Sequence, residues 1–485
     1  MKLMLKFFLI NIALINFFNS IIIIPLYHQP KKLNISSSYE FINNYMPNNL
    51  YSIIKAGTPP QNIEMIITED DIIFSVRKNK CLLKNYYFNY NTSKSFKIIK
   101  ESSKFYRSIE AKDTFYFNNN LEDISSNELS KVDNIGFILE KEINPEYGDN
   151  LKYNCAVLSL NLFRYNMANN DYNFIIELKK LGFIENHVWT IKYLNEFDKN
   201  KNANTNLEGY LIIGDYPHIY EKDKEKYNSL NQRSCLNDMN EKGWNLLFRN
   251  ITINNDTILT HYMTGIISFS NNYIKGTEEY KSKISNEFFK KYIEKNICFD
   301  DNTNSHYFLY YCKKSEFNQD DINSFPDLNF FHAELNYTFK FRGKDLFLEN
   351  NKFYYFLIIF DIYDYKTWTF GKIFLQKYQL IFDHSSKKIN FYINEEEKKE
   401  INDNNNNNNL YINNKTLLYI ILACIAVISF IIGLILGKNK FGNKKRNKKA
   451  NELDNDNNND YFSTKKESII DSDDATNTSE EKNIN

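Results

Sequence analysis

Glycine is scarce in this chain, 14 among 485 residues, so few positions can take a positive φ without steric cost and backbone hinges are few. Only seven histidines occur, none spaced as a zinc ligand set, and there is no H-E-x-x-H motif, no G-x-S-x-G elbow and no phosphate-binding P-loop. Metalloprotease, serine-hydrolase and nucleotide-driven chemistries therefore find no support. No cofactor and no metal are implied. An excess charge of either sign is also missing: 60 Lys and Arg balance 60 Asp and Glu. The charges are interleaved with Asn and aromatics rather than gathered into a basic stripe, which leaves no electrostatic footprint for nucleic acid. Lysine-rich and mixed-sign runs such as 78–84 and 222–226 read as solvated loops.

Apolar and aromatic residues, by contrast, are abundant. At 42% hydrophobic and 16% aromatic, the middle of the chain can bury a large core. Its apolar runs, at 63–76, 210–213 and 353–362, are short, β-branched or aromatic, and are separated by Asn- and Lys-rich loops. The expected fold class is all-β with a few short helices, and about 350 residues suit two lobes.

Both ends carry targeting patterns. A basic start, Met1-Lys2-Leu3, leads into an apolar run at 5–18, which reads as a signal peptide over residues 1–24, cleaved near Ser20 or retained as an anchor. Residues 417–437 form an uncharged apolar segment long enough to cross a bilayer as one helix, the alternative being a buried core helix. Lys438, Lys440, Lys444, Lys445, Arg446, Lys448 and Lys449 crowd its C-terminal flank, as expected of a cytosolic side. The expectation is a type I membrane protein of the secretory pathway or cell surface. A polar stalk would span 396–416 and a basic, then acidic and disordered, tail 438–485.

Six cysteines fit a lumenal domain. Cys424 falls in the membrane segment, leaving Cys81, Cys155, Cys235, Cys298 and Cys312. Five is odd, so at least one thiol is unpaired or bonds another chain. Sequons occur at Asn34, Asn91, Asn250, Asn255, Asn336 and Asn414.

The motifs of the central segment come in a telling order. Gly57-Thr58-Pro59-Pro60-Gln61 precedes an apolar strand running to Val76. Cys155-Ala156-Val157-Leu158-Ser159-Leu160 and Gly209-Tyr210-Leu211-Ile212-Ile213-Gly214-Asp215 follow. Then come Trp244, Gly265-Ile266-Ile267-Ser268-Phe269-Ser270-Asn271, Phe325-Pro326-Asp327-Leu328-Asn329-Phe330, and Trp368-Thr369-Phe370-Gly371-Lys372-Ile373-Phe374. This series resembles the pepsin-like aspartic proteases, plasmepsin-like members included, whose landmarks G-T-P-x-Q, D-T-G-S-S, I-L-G-L, A-I-x-D-T-G-T-S, L-P-D-I-x-F and W-x-L-G-D-x-F stand in that order. The resemblance implies a bilobal pepsin-like acid-protease fold, with an N-terminal extension at 25–44, one lobe at 45–240 and the other at 241–395.

It also implies that both catalytic aspartates are replaced. Counting from the motifs puts Thr68 and Ser268 at the dyad and Glu101 at the flap tyrosine, with Tyr106 a possible substitute for the latter. The resemblance further implies a Cys298–Cys312 disulfide. Two carboxylates held close share one proton and activate a water between them, which alcohols titrating far above neutral pH cannot do. The acidic residues Glu69, Asp70 and Asp71 read as a solvated turn, and residues 266–274 contain no acid to partner them. No catalytic residue is assigned. The expectation is a pseudoprotease whose cleft binds a peptide or protein; the alternative is an active aspartic endopeptidase with rearranged carboxylates.

Overall fold

The computed structural model describes residues 21–28, 40–42, 47, 50–69, 73–78, 86, 88–101, 108–119, 129–140, 154–161, 172–194, 206–238, 243–254, 256–259, 262–301, 307–361 and 367–393. Strands dominate. One 13-stranded sheet starts at the edge strand Gln232–Leu236, runs through Lys388–Tyr392, Ile381–Asp383, Val188–Tyr193, Leu207–Ile213, Ile22–His28 and Leu50–Ala56 to Gln61–Thr68, and ends at Lys97–Lys100. A 9-stranded and a 4-stranded sheet form the second lobe. Helices are short, Phe174–Lys180 and Glu278–Ile284 among the longer ones.

The two lobes repeat one motif. In the first, Gln61–Thr68 runs parallel to Asn154–Ser159, which is antiparallel to Ser75–Lys78, which is in turn parallel to Ser130–Glu140. In the second, Met263–Ile267 runs parallel to Trp368–Phe370, which is antiparallel to Ile274–Gly276, itself parallel to Ile358–Asp361. Identical order and direction in two unrelated stretches of sequence is an internal duplication of fold. The apolar runs read as strands form these ladders because their β-branched and aromatic side chains fill both faces of the sheet. Trp189, Trp244 and Trp368, all the tryptophans of the chain, are at most 1% exposed.

The N-terminal segment is built into the sheet. Ile22–His28, which overlaps the expected leader at residues 22–24, is a strand that pairs Leu207–Ile213 along most of its length and then Leu50–Ala56. Ile22, Ile23 and Ile24 are buried, so removing them would open the sheet. Nor is the segment 25–44 an appendage. Phe41 is fully buried in the second lobe, stacked on Tyr355 at 4.3 Å beside Leu309 and Ile359. The division at 240/241 is likewise crossed, because Ile381–Asp383 and Lys388–Tyr392 join the first-lobe sheet through Val188–Tyr193. Residues 1–20, and with them most of the leader, lie outside the described residues, as do the stalk at 396–416, the apolar segment at 417–437 and the tail at 438–485. Among the described residues no helix is long and apolar enough to cross a membrane.

Cys298 and Cys312 face each other across antiparallel strands and are disulfide-bonded. Cys155 and Cys235 are buried; burial, and secondarily Glu334, push the Cys235 thiol up to about 12, which makes it inert as a nucleophile. Cys81 lies outside the described residues.

Histidine 332 carries a pH dependence. It is 2% exposed, its Nδ1 accepts the Leu335 N–H at 3.3 Å, and burial lowers its pKa from 6.5 to about 4. The unfolded chain therefore takes up this proton first: stability is present above pH 6.5 and is lost as pH falls toward 4, by on the order of 3 kcal/mol. Urea denaturation of the unmodified chain and of His332→Phe at both ends of that window is expected to show a smaller acid loss in the variant.

Candidate functional site

The site forms where the two repeated motifs meet. In Gln61–Thr68 the alternate residues Ile63, Met65 and Ile67 are buried, which fixes the strand's register. Ile67 faces Leu158 and Ile267 faces Phe370, so Thr68 and Ser268 occupy the same station in their respective lobes, each directly after the paired isoleucine. The Leu160 N–H donates to the Thr68 carbonyl at 3.0 Å, and the Ser268 N–H donates to the Phe370 carbonyl at 2.9 Å. Gly371 sits beside the second of these strand ends. A Cβ there would lie 2.4 Å from the carbonyl oxygens of both Asn271 and Tyr273, so only glycine admits this backbone approach.

Glu69 bridges the lobes. Its carboxylate accepts from Ser268 Oγ at 2.5 Å, from the Phe269 N–H, and from the Ser270 N–H at 3.3 Å. The direction of each bond is set by its neighbours: Asn271 Nδ2 donates to Ser268 Oγ at 2.7 Å, leaving the serine hydroxyl to donate onward to Glu69. All three partners are thus donors aimed at an acceptor, the pattern of an ionised carboxylate in a nest of backbone amides. Burial pushes the Glu69 carboxyl above its ordinary range, and the hydrogen bonds from Ser268, Phe269 and Ser270 pull it back without cancelling the shift.

The surroundings hold this arrangement in place. Asn161 Nδ2 donates to the Glu69 carbonyl at 2.8 Å, and Trp244 Nε1 crosses between lobes to the Leu160 carbonyl at 2.9 Å. Phe269 packs edge-on against Trp189 and Phe382, with centroids at 5.2 and 5.6 Å, while Trp189 stacks on Phe382 at 4.2 Å. Lys372, standing where the resembled motif has Asp, pairs with Glu208 at 2.6 Å with both side chains less than one-fifth exposed. Among the described residues no group of three or more His, Cys, Asp or Glu could hold a metal ion.

Several expectations look different at this site. The acidic turn is not simply solvated. Glu69 is half-buried and reaches the second lobe, while Asp70 and Asp71 lie outside the described residues. The junction therefore contains an ionisable group as well as alcohols. Strand alternation concealed this, because Glu69 follows the last ladder residue, Thr68, and the chain bends there, so period-two placement no longer applies. The readable signal was on the other lobe: Ser268, Phe269 and Ser270 offer a hydroxyl and consecutive N–H groups with no acid of their own. Glu101 is exposed and directly follows Lys97–Lys100, which pairs with Ser108–Phe117 in a hairpin. The rest of that hairpin's loop, 102–107, including Tyr106, lies outside the described residues.

The chain is similar in structure to basic 7S globulin from soybean, with a TM-score of 0.53 over 77% of this chain and 95% of that one. The fold is pepsin-like. Sequence identity is 11%, so the likeness carries the fold alone. With 386 solved chains matching, the architecture recurs too widely for it to name an activity. No family model and no curated protein matches the chain.

Replacing Glu69 by Gln turns an all-acceptor group into one that presents an amide N–H₂ toward existing donors. Glu69→Gln is expected to cost about 1–3 kcal/mol, read as a lowered urea midpoint, whereas an unchanged midpoint would mean that the bridge adds nothing to stability.

Proposed function

We propose that this protein is a catalytically inactive member of the pepsin-like fold, a pseudoprotease. In this reading Thr68 and Ser268 stand at the dyad positions, both aspartate motifs are degenerate, and Glu101 takes the place of the flap tyrosine. The matching strand stations of Thr68 and Ser268 support it, and the motif order supports kinship with the plasmepsin-like members. The observation that carries the reading is the engagement of Glu69. Among the described residues, the Glu69 carboxylate reaches the junction, and its oxygens are taken up by Ser268, Phe269 and Ser270. Paired-acid hydrolysis needs a second carboxyl to share a proton and polarise the scissile carbonyl. Here the opposing group is an alcohol.

The interlobe cleft then serves to bind a peptide or protein. An extended segment can dock there through main-chain hydrogen bonds and side-chain pockets, neither of which needs a dyad. The leader, the apolar segment at 417–437 and its basic flank support a type I anchor that holds this domain on the lumenal or extracellular side of a secretory-pathway membrane. One observation favours the alternative of a rearranged endopeptidase: a half-buried carboxyl with a raised pKa at the lobe junction.

Peptide-library cleavage separates the two. The unmodified chain is expected to show no turnover across acidic pH, and Ser268→Asp, which sets a second carboxyl against Glu69, is the variant with a chance of gaining it. Turnover by the unmodified chain that is abolished by a statine-type inhibitor and by Glu69→Gln would overturn the pseudoprotease reading. Peptide capture by the same chain, measured by equilibrium binding, tests the cleft.

A further inference from the structure

The large sheet ends in two edge strands that are finished differently. Along Gln232–Leu236 side chains lie over the backbone: the Glu334 carboxylate accepts the Leu236 N–H at 3.3 Å, and Arg233 Nη1 donates to the Gln232 carbonyl at 3.2 Å. Polar side chains laid over an edge remove the template for a further strand. At the opposite end, Lys97–Lys100 is exposed at all four residues and pairs on one side alone, with Ser108–Phe117. Among the described residues no hydrogen bond reaches its outer side.

The residues of this open edge are as informative as its exposure. Ile98 stands opposite Ala111, which is fully buried, so it belongs to the inward face of the hairpin, yet it is 52% exposed. Ile99, where the register shifts, has no partner across the hairpin and is 48% exposed. Inside a sheet, strands on both sides would flank such side chains; here one flank is missing. Lys97 stands opposite Lys112, a like-charge pair that works against the ladder. Of the described residues over 94–112, Lys94, Lys97, Lys100 and Lys112 face only Glu101 and Glu110 as acids, so the edge is net cationic. Nearby carboxylates are already engaged. Glu110 accepts from Tyr172 Oη at 2.6 Å, and Asp133 accepts from Thr114 Oγ1 at 2.7 Å and Lys131 Nζ at 2.9 Å.

We infer that the outer edge of Lys97–Lys100 binds an extended, acidic segment of another protein as an added antiparallel strand. Main-chain hydrogen bonds hold the segment, and its side chains, read alternately on the two faces, select it. Charge fixes the kind of partner. Antiparallel pairing of the stretch with a second copy of itself sets each Lys97 against a Lys100 and each Ile98 against an Ile99, two like-charge contacts in one short ladder. A segment reading acid, apolar, apolar, acid relieves all of them, because a carboxylate meets each lysine and an apolar side chain covers each isoleucine. The charges act within a screening length of about 10 Å at 0.1 M salt, so the binding is salt-sensitive. This edge is distinct from the junction where Glu69 meets Ser268, and the inference does not rest on what the interlobe cleft holds.

The probe is a fluorescein-labelled peptide with a central Glu-Val-Val-Glu, compared with one carrying Lys-Val-Val-Lys between the same Gly-Ser flanks. Titration against the full chain is read by fluorescence anisotropy and by amide hydrogen exchange over residues 97–100. The acidic peptide is expected to bind, less tightly at high salt, and to slow exchange in that strand, whereas the basic peptide does neither. Lys97→Glu with Lys100→Glu, both at exposed positions, is expected to weaken the acidic peptide about ten-fold or more and to let the basic peptide bind. The urea midpoint of the double variant checks that it is folded. Independently of any variant, failure of the acidic peptide to bind at millimolar concentration, or binding that leaves exchange over 97–100 unchanged, would overturn the inference. Binding that the folded double variant retains in full would put the ligand elsewhere, the cleft included, and sink the edge while leaving the cleft standing. A dimer of the unmodified chain in sedimentation, lost in the double variant, would mean that a second copy takes the edge, and the acidic partner would fall. None of these outcomes alters the cleavage test of the pseudoprotease reading.

Discussion

The hydrogen bonds that Glu69 accepts across the lobe junction are the constraint around which the centre of this molecule is arranged. A half-buried carboxylate is costly unless donors meet it, and here the opposing lobe supplies a hydroxyl and two amides in one turn. The turn must therefore present Ser268, Phe269 and Ser270 toward the first lobe, which requires the close backbone passage at Gly371 and the seating of Phe269 among Trp189 and Phe382. The charge, the turn and the aromatic floor support one another. Moving any one would leave a buried donor or acceptor unpaired.

Other links between the lobes have the same character. Trp244 donates to the Leu160 carbonyl, Lys372 pairs with Glu208, Phe41 fills the second-lobe core, and the C-terminal strands complete the first-lobe sheet. Each joins parts of the chain far apart in sequence. A pepsin-like enzyme needs two lobes that meet accurately because its acids come from both. In this chain the lobes meet through contacts between residues far apart in sequence.

In the proposed reading, alcohols in place of acids at matched stations change the electrostatics in kind. Two carboxyls in contact hold a shared proton because both cannot ionise. The Glu69 carboxylate, facing serine and amides, is satisfied as an acceptor. It bridges the lobes, and burial is the first cause of its raised pKa.

The mostly-β class could be read along the chain, because it depends on side-chain period and on turn residues. The Cys298–Cys312 pair was read through resemblance, and antiparallel strands place the two residues face to face. Glu69 could not be read in the same way. It lies one residue past the strand, where alternation ends, and its partners are about 200 residues away. Nor could the place of residues 22–28, since an isoleucine run reads equally as the end of a leader or as a central strand until its neighbours are known. Local pattern decides which elements form. Which distant donor meets a given charge, and which apolar run fills a given gap, is decided only when the lobes close, because those free energies depend on three-dimensional neighbours and not on chain position.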